Sequence, residues 1–301
     1  PGSVFKIVTS SIALEENIVD TDTINFNCTG AYYVPGESRP IKCHKYPYSH
    51  GAQSLRLALE NSCNPAFVEL GLKIGKTRSY KYYEALGFFG KTGISLSGEP
   101  KSIFYDINKI NDHELGTMSF GQRFTITPLQ MITAACAIAN DGTLVQPQIV
   151  DHITNTDTGE VTNFNTTEVR QVFSKETSDK VTSMMESVVE HGTGYRVKYD
   201  ASVKESMSGY SIGGKTGTSE PINGSSDGYV ASFLAISPVE NTKIVLLVIL
   251  KNPGEGVNHN GGQIAAPTAG KMLSEILPYM GIETGNKDSG NNTNISEKDL
   301  Y

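Results

Sequence analysis

Pro1-Gly2-Ser3-Val4-Phe5-Lys6 is the stretch that decides how the rest of the 301 residues read. Ser3 and Lys6 are the sole S-x-x-K pair in the sequence. The residues that follow, with Ile7, Val8, Ile12, Ala13 and Leu14, have the spacing of a buried helical face and predict a helix to about Asn17. Positions i and i+3 are neighbours on a helix, so the Lys6 amine is expected within reach of the Ser3 hydroxyl. In the first turn, free backbone N–H groups and the helix dipole favour a negative charge developing at that serine. A serine alcohol becomes a nucleophile when a positioned base takes its proton, and a desolvated lysine can be that base.

Composition sets the frame. An apolar fraction of 38% and a charged fraction of 19% describe a globular chain with enough core to fold, long for one domain and short for three. A net charge of −7 argues against a nucleic-acid partner, which calls for a basic face. The longest apolar run, Ile244–Leu250, is too short to cross a membrane. There is no initiator Met and no signal peptide, and a chain opening two residues before its candidate nucleophile is expected to have been cut from something longer. Cys28 and Cys43 flank a turn-rich loop and are compatible with a disulfide in an oxidising compartment, or with two unpaired thiols. Cys136 reads as a small core residue, and Cys63 is expected to point into the helical layer. No Cys-x-x-Cys pair or His/Cys cluster has metal-site spacing, so neither a metal nor a cofactor is expected.

Helices are predicted over about 53–61, from Pro65 through Ile74, over 129–139, after Ser174 as N-cap to Gly192, and over 266–280. Asn64, ahead of a proline, is expected in a bend. Residues 87–127 read as irregular, and two short strand-like pieces fall between Leu144 and Phe173. Three strands, about 210–216, 229–237 and 243–251, are separated by turn residues and should pair as an antiparallel meander. From Thr284 to Tyr301 almost nothing is apolar, so a disordered tail is expected after a domain spanning 1–283.

Gly209 to Thr216 matches the phosphate-loop pattern G-x-x-x-x-G-K-[ST] letter for letter. It lacks an apolar strand before it and a helix after it, and those hold the phosphates in such a loop. Lys215-Thr216-Gly217-Thr218 reads better as a strand edge, where glycine admits a neighbouring backbone and lysine and threonine can hold a carboxylate. Lys91-Thr92-Gly93 lacks a strand, and Ser289-Gly290-Asn291 falls in the tail, so both are set aside.

Ser3-x-x-Lys6, then Ser62-x-Asn64, then Lys215-Thr216-Gly217 is the ordered triplet of the penicillin-recognising serine enzymes. Wider stretches resemble the class B penicillin-binding proteins: Cys43 to Gly51, Ser62 to Phe67, Met118 to Gln122 with Thr127 to Gln130, and His191 to Gly194. The resemblance runs over about residues 1–281. It implies an α/β (α+β) transpeptidase fold of the penicillin-binding/β-lactamase kind, an antiparallel sheet flanked by helices with an all-helical subdomain. It also implies two further sheet strands, a membrane anchor and a pedestal domain ahead of residue 1. The chain is therefore expected to be N-terminally truncated, with a bare sheet edge at Lys243–Lys251. Arg123 departs from the family, which often has glycine there.

By resemblance, Ser3 attacks the D-Ala–D-Ala carbonyl of a peptidoglycan stem peptide, Lys6 takes its proton, and Ser62 relays a proton to the leaving amine. Asn64 holds the donor amide, and Thr216 and Thr218 bind the terminal carboxylate beside Lys215, with Gly217 admitting the substrate. The implied partners are stem peptides, β-lactams, a membrane glycosyltransferase and division or elongation proteins, on the extracytoplasmic face of the cell membrane. A D-alanine carboxypeptidase or serine β-lactamase shares the triplet but hydrolyses its acyl-enzyme, and an inactive cell-wall scaffold is a further alternative. A β-lactam sensor favours a nearby tryptophan, and this chain has none.

Overall fold

One small sheet separates two apolar cores, and the alternation along its strands assigns each side chain to one or the other. The structure, a computed structural model, describes residues 1–219, 228–254 and 256–285. A 3-10 turn over Gly2–Phe5 leads into α1 (Lys6–Glu15). Two short ribbons follow: β1 (Phe26–Cys28) pairs with β4 (Gly51–Gln53), and β2 (Ala31–Tyr32) with β3 (Ile41–Lys42). Helices α2 (Leu55–Glu60), α3 (Asn64–Ile74), α4 (Lys76–Ala85), α5 (Asp112–Met118) and α6 (Pro128–Ala139) join α1 in a helical layer. Two ribbons come next, β5 (Thr143–Val145) with β8 (Glu168–Gln171), in which Leu144 reaches the core, and the exposed pair β6 (His152–Thr154) with β7 (Val161–Asn163). Then come α7 (Lys175–His191) and the short helices α8 (Arg196–Tyr199) and α9 (Lys204–Met207). The meander β9 (Gly213–Ser219), β10 (Val230–Ser237) and β11 (Ile244–Lys251) is followed by α10 (Gly261–Tyr279).

The meander is antiparallel in the order β11-β10-β9. Leu234 lies opposite Lys215 and Leu247, while Phe233 lies opposite Thr216 and Val248. Leu234 and Ile236 enter the core shared with α1, α3, α6 and α7. Phe233, Ala235 and Val248 enter the other, beneath Ala265, Ala266, Ala269 and Leu273 of α10. This is the period-two alternation of a strand buried on both faces. Thus Lys215 and Thr216, adjacent in sequence, are delivered to different sides of the sheet. The face opposite α10 is covered by α7 and by the 3-10 turn of Ser3, and α1 packs on α7 and α3. Among the described residues β11 pairs only with β10, and Ile244–Leu247 on it are half-buried.

Several expectations need correction. The first strand is displaced three residues, to Gly213–Ser219, and α10 begins at Gly261 rather than near Ala266. Gly261 and Gly262 are poor helix formers, yet a Cβ on Gly261 would sit 2.2 Å from the Gly217 carbonyl, so close packing on β9 requires glycine there. The stretch 87–127 is not wholly irregular, because α5 forms behind a capping box in which Asn111 and Glu114 bond each other's backbone N–H. Asn64 is not in the bend but is the first residue of α3. Ser62, at φ +50°, completes the reversal two residues earlier. Cys136 is half-buried rather than core. Most of the expected tail lies outside the described residues, and Gly285 still donates its N–H to the Gly209 carbonyl at 3.1 Å.

Candidate active site

The Ser3 turn is fixed from behind. Gly2, at φ +63°, donates its N–H to the Gly121 carbonyl at 3.0 Å. Gly121 has φ +87°, and a Cβ there would lie 2.0 Å from the Gly2 carbonyl oxygen, so no other residue fits. The Thr9 hydroxyl donates to the Ser119 carbonyl at 2.6 Å, tying the same 119–121 loop to α1. Ser3 is thereby held, half-buried, on a cleft of about 270 Å³ that it shares with Ser62, Asn64, Thr216 and Thr218.

Beneath the cleft lie two fully buried lysines. Lys6 Nζ donates to the Ser62 carbonyl (2.6 Å), the Ser62 hydroxyl (3.1 Å) and Asn64 Oδ1 (2.8 Å). Lys215 Nζ donates to the same Ser62 hydroxyl at 2.9 Å, and to the carbonyl (3.0 Å) and hydroxyl (3.3 Å) of Thr216. Ser62 Oγ therefore accepts from both amines. Two buried ammonium groups sharing one acceptor are electrostatically unfavourable, so the neutral amine is favoured, and in that form Lys6 keeps two of its three donated bonds and frees a lone pair to take a proton. Burial pushes Lys6 down to about 7, with the sulfurs of Cys63 and Cys43 pulling the other way. Burial first, and the charge of Lys6 second, hold Lys215 well below the ordinary lysine value. Among the described residues no hydrogen bond joins Ser3 Oγ to Lys6, whose donors are taken by the Ser62–Asn64 corner. Such bonds are often open in the absence of substrate.

The opposite wall is the β9 edge. Gly217 runs so close to Ser232 and Val4 that a Cβ would lie 2.3 Å from Ser232 Oγ and 3.1 Å from a Val4 methyl. The Thr216 hydroxyl shares a 2.9 Å hydrogen bond with that of Thr193, and the Thr218 hydroxyl accepts from the Gly261 N–H at 3.2 Å. β9 runs on through Thr216 to Ser219 where a phosphate loop would turn into a helix, so the second half of that pattern is a strand, and Lys91–Gly93 lies far along the chain in a loop against Gln146.

This geometry coincides with a family match: residues 1–274 match the family described as "Penicillin binding protein transpeptidase domain". The chain belongs to the transpeptidase domains of class B penicillin-binding proteins. Stage V sporulation protein D of Bacillus subtilis is 35% identical over 290 residues, covering 94% of this chain and 43% of that protein. Penicillin-binding protein PbpB of Mycolicibacterium smegmatis is 28% identical over 92% of the chain and 43% of its own length. The chain thus spans less than half the length of these relatives. Among solved structures, penicillin-binding protein 3 of Mycobacterium tuberculosis complexed with ampicillin superposes with a TM-score of 0.82 at 26% identity, covering 96% of this chain and 64% of that one. The apo transpeptidase domain of Burkholderia pseudomallei penicillin-binding protein 3 gives 0.78 at 25%, over 94% and 80%.

The transpeptidase cleft also contains residues to which sequence reasoning gave no role: His44, Phe120, Gln122 and Thr193, which lie in stretches that carry the resemblance, and Tyr229, His259 and Asn260, which do not. Thr193 had a legible signal in its flanking glycines. A Cβ on Gly192 would meet the Glu60 carbonyl at 2.7 Å, which is why the chain can cross the end of α2 and present Thr193 to Thr216. His259 and Tyr229 stack with ring centroids 3.8 Å apart at the rim, a contact between distant segments that no local pattern encodes. The four cysteines are free thiols, so the Cys28–Cys43 pair is unbridged.

Proposed function

We propose that this domain is a peptidoglycan D,D-transpeptidase acting through a Ser3 acyl-enzyme. The observation that carries the reading is the convergence of two neutral-favouring amines on Ser62 Oγ directly beneath the cleft that Ser3 borders. Neutral Lys6 accepts the Ser3 hydroxyl proton as Oγ bonds to the carbonyl carbon of the penultimate D-alanine. Backbone N–H groups of Ser3 and Thr218 stabilise the oxyanion, each such donor being worth about 3 kcal/mol. The proton then passes through Ser62 Oγ to the leaving amine, the C–N bond breaks, and the terminal D-alanine departs. Asn64 holds the donor amide, while Thr216, Thr218 and Lys215 hold the terminal carboxylate across the Gly217 edge. An amine of a neighbouring stem peptide next attacks the ester, forming the cross-link and releasing Ser3. A β-lactam enters the first step and stalls at the ester.

We extend the same reading to the whole protein: an anchored enzyme on the extracytoplasmic face, working beside a membrane glycosyltransferase and division or elongation proteins. Among the described residues no helix is long and apolar enough to cross a membrane. In the intact protein a fluorescent penicillin should label Ser3 with slow release, and Ser3→Ala should abolish labelling without altering the thermal transition. An adduct mapped by mass spectrometry to another serine, Ser62 included, overturns the assignment. Rapid release of the label instead marks a hydrolase.

A further inference from the structure

Glu60 is the last residue of α2, is 7% exposed, and takes no part in the chemistry above. Among the described residues no cation pairs with it, and Arg56, one turn earlier, is committed to Asp22 at 2.7 Å. A buried carboxyl without a counter-ion is destabilising unless hydrogen bonds hold it. Burial raises the Glu60 carboxyl above the usual carboxylate range, while the Ser187 hydroxyl bond and then the charges of His191 and Arg56 pull it down. A leucine would fill the same space without that penalty, so the carboxyl calls for a role other than filling.

Its contacts supply one. The Ser187 hydroxyl, near the end of α7, donates to Glu60 Oε1, and the Glu60 carbonyl accepts the Thr193 N–H at 3.1 Å. The end of α7 is thus fastened to the end of α2 by one side-chain bond and one backbone bond. From that joint the chain leads to both walls of the cleft. Ser62, two residues after Glu60, donates its N–H to the Leu59 carbonyl at 3.1 Å, so the corner hangs on the same last turn of α2. On the other side, the Thr193 hydroxyl shares its 2.9 Å hydrogen bond with Thr216. Lys215 also ties the walls, through its bonds to the Ser62 hydroxyl and the Thr216 carbonyl, but that amine belongs to the chemistry.

We propose that Glu60 is a positioning residue: by fastening α7 to α2 it sets the distance across the cleft between Ser62 and the Thr193–Thr216 hydroxyl pair. A substrate whose carboxylate rests on that pair while its scissile bond lies beside Ser62 must match this distance. A substrate without the carboxylate does not span the cleft and is insensitive to its width. Glu60 itself touches no substrate. The inference rests on the acyl-enzyme reading above and deepens it.

The test follows acylation of the intact protein by benzylpenicillin and by its methyl ester, each competing with fluorescent penicillin, alongside the denaturation midpoint. Glu60→Leu should keep or raise the midpoint, because the freed Ser187 hydroxyl is half-buried and can turn to a carbonyl of its own helix. It should slow acylation by benzylpenicillin roughly three- to tenfold, the range one hydrogen bond represents, with the loss in apparent binding rather than in the limiting rate. Acylation by the ester should change less than about twofold. Ser187→Ala should reproduce this pattern, and adding it to Glu60→Leu should remove little more. Glu60→Gln, whose amide oxygen still accepts from Ser187, should recover most of the rate. A midpoint that falls together with both rates makes Glu60 a stability residue and overturns the proposal. An equal loss with the ester overturns it too, as does wild-type acylation in Glu60→Leu. If Glu60→Leu does not fold, Ser187→Ala carries the same ester comparison. These outcomes leave the acyl-enzyme reading standing wherever the adduct maps to Ser3; a wild-type protein with no Ser3 adduct overturns both.

Discussion

The two walls of the cleft are held in different ways. The strand wall, Lys215 to Thr218, takes its geometry from seven consecutive register pairs between β9 and β10 and from α10 docked behind it. The helical wall, Ser62 to Asn64, is a corner with one left-handed residue, no ladder, and a cluster of sulfurs at its back. A ladder distributes the cost of an error over many hydrogen bonds, whereas a corner depends on a few local contacts. Disturbing the strand wall is therefore expected to cost mainly stability, and disturbing the corner mainly chemistry.

Lys6 offers the largest break. It reaches the corner through three hydrogen bonds and is the group we assign as base. Lys6→Met keeps the volume and removes the amine, so penicillin acylation should fall by about 10²–10⁴-fold with a preserved fold. A loss under tenfold would reassign the proton acceptor, with Lys215 next in place. The wild-type pH profile sharpens this. Burial lowers Lys6 to about 7, so the amine is protonated and inactive below that pH and neutral above it. The acylation rate constant should therefore rise through a midpoint near pH 7 and flatten above it. A midpoint that stays in place in Lys6→Met would belong to another group.

Gly261→Ala is the matching break on the strand wall. The added Cβ would lie 2.2 Å from the Gly217 carbonyl and 2.4 Å from that of Ser232, and backbone oxygens paired in a sheet have little room to yield. Overpacking of this kind costs about 1–3 kcal/mol, to be read as a lowered denaturation midpoint. If the ladder holds the wall, acylation measured on the folded protein should change by less than about tenfold, the loss falling on stability. A larger kinetic loss with unchanged stability would remove the distinction between the walls.

The same contrast explains what was legible in the sequence. Lys215-Thr216-Gly217 and the meander could be read because strand alternation and Asn/Gly/Ser turns are local signals. Ser62 and Asn64 could be located by spacing, but not the left-handed serine that aims them. Helix α4, Lys-Thr-Arg-Ser-Tyr-Lys-Tyr-Tyr-Glu-Ala, escaped notice because its polar composition hides the buried stripe of Ser79, Tyr82 and Tyr83. Tyr83 then packs edge-on against Phe5, directly behind the Ser3 turn, at 5.4 Å between ring centroids. The Cys28, Cys43, His50 and Cys63 cluster could not be found by a spacing rule, since its members meet only after two ribbons and a helix have folded around them.

The smallest expected effect concerns Arg123, the position where the resemblance leads one to expect glycine. Its backbone has φ +67°, in the left-handed region, two residues after Gly121 at +87°. For a residue with a Cβ that conformation costs roughly 1–2 kcal/mol. Glycine adopts it freely but loses more chain entropy on folding, about 0.5–1 kcal/mol. The two effects oppose one another, and the steric term is the larger. Arg123→Gly should thus stabilise the protein by about 0.5–1 kcal/mol in denaturant unfolding, whereas Arg123→Ala, keeping the Cβ, should gain nothing by this route. If glycine and alanine behave alike, the arginine side chain is making a contact that offsets its backbone, and the 119–123 loop behind Ser3 is tighter than its dihedral angles imply.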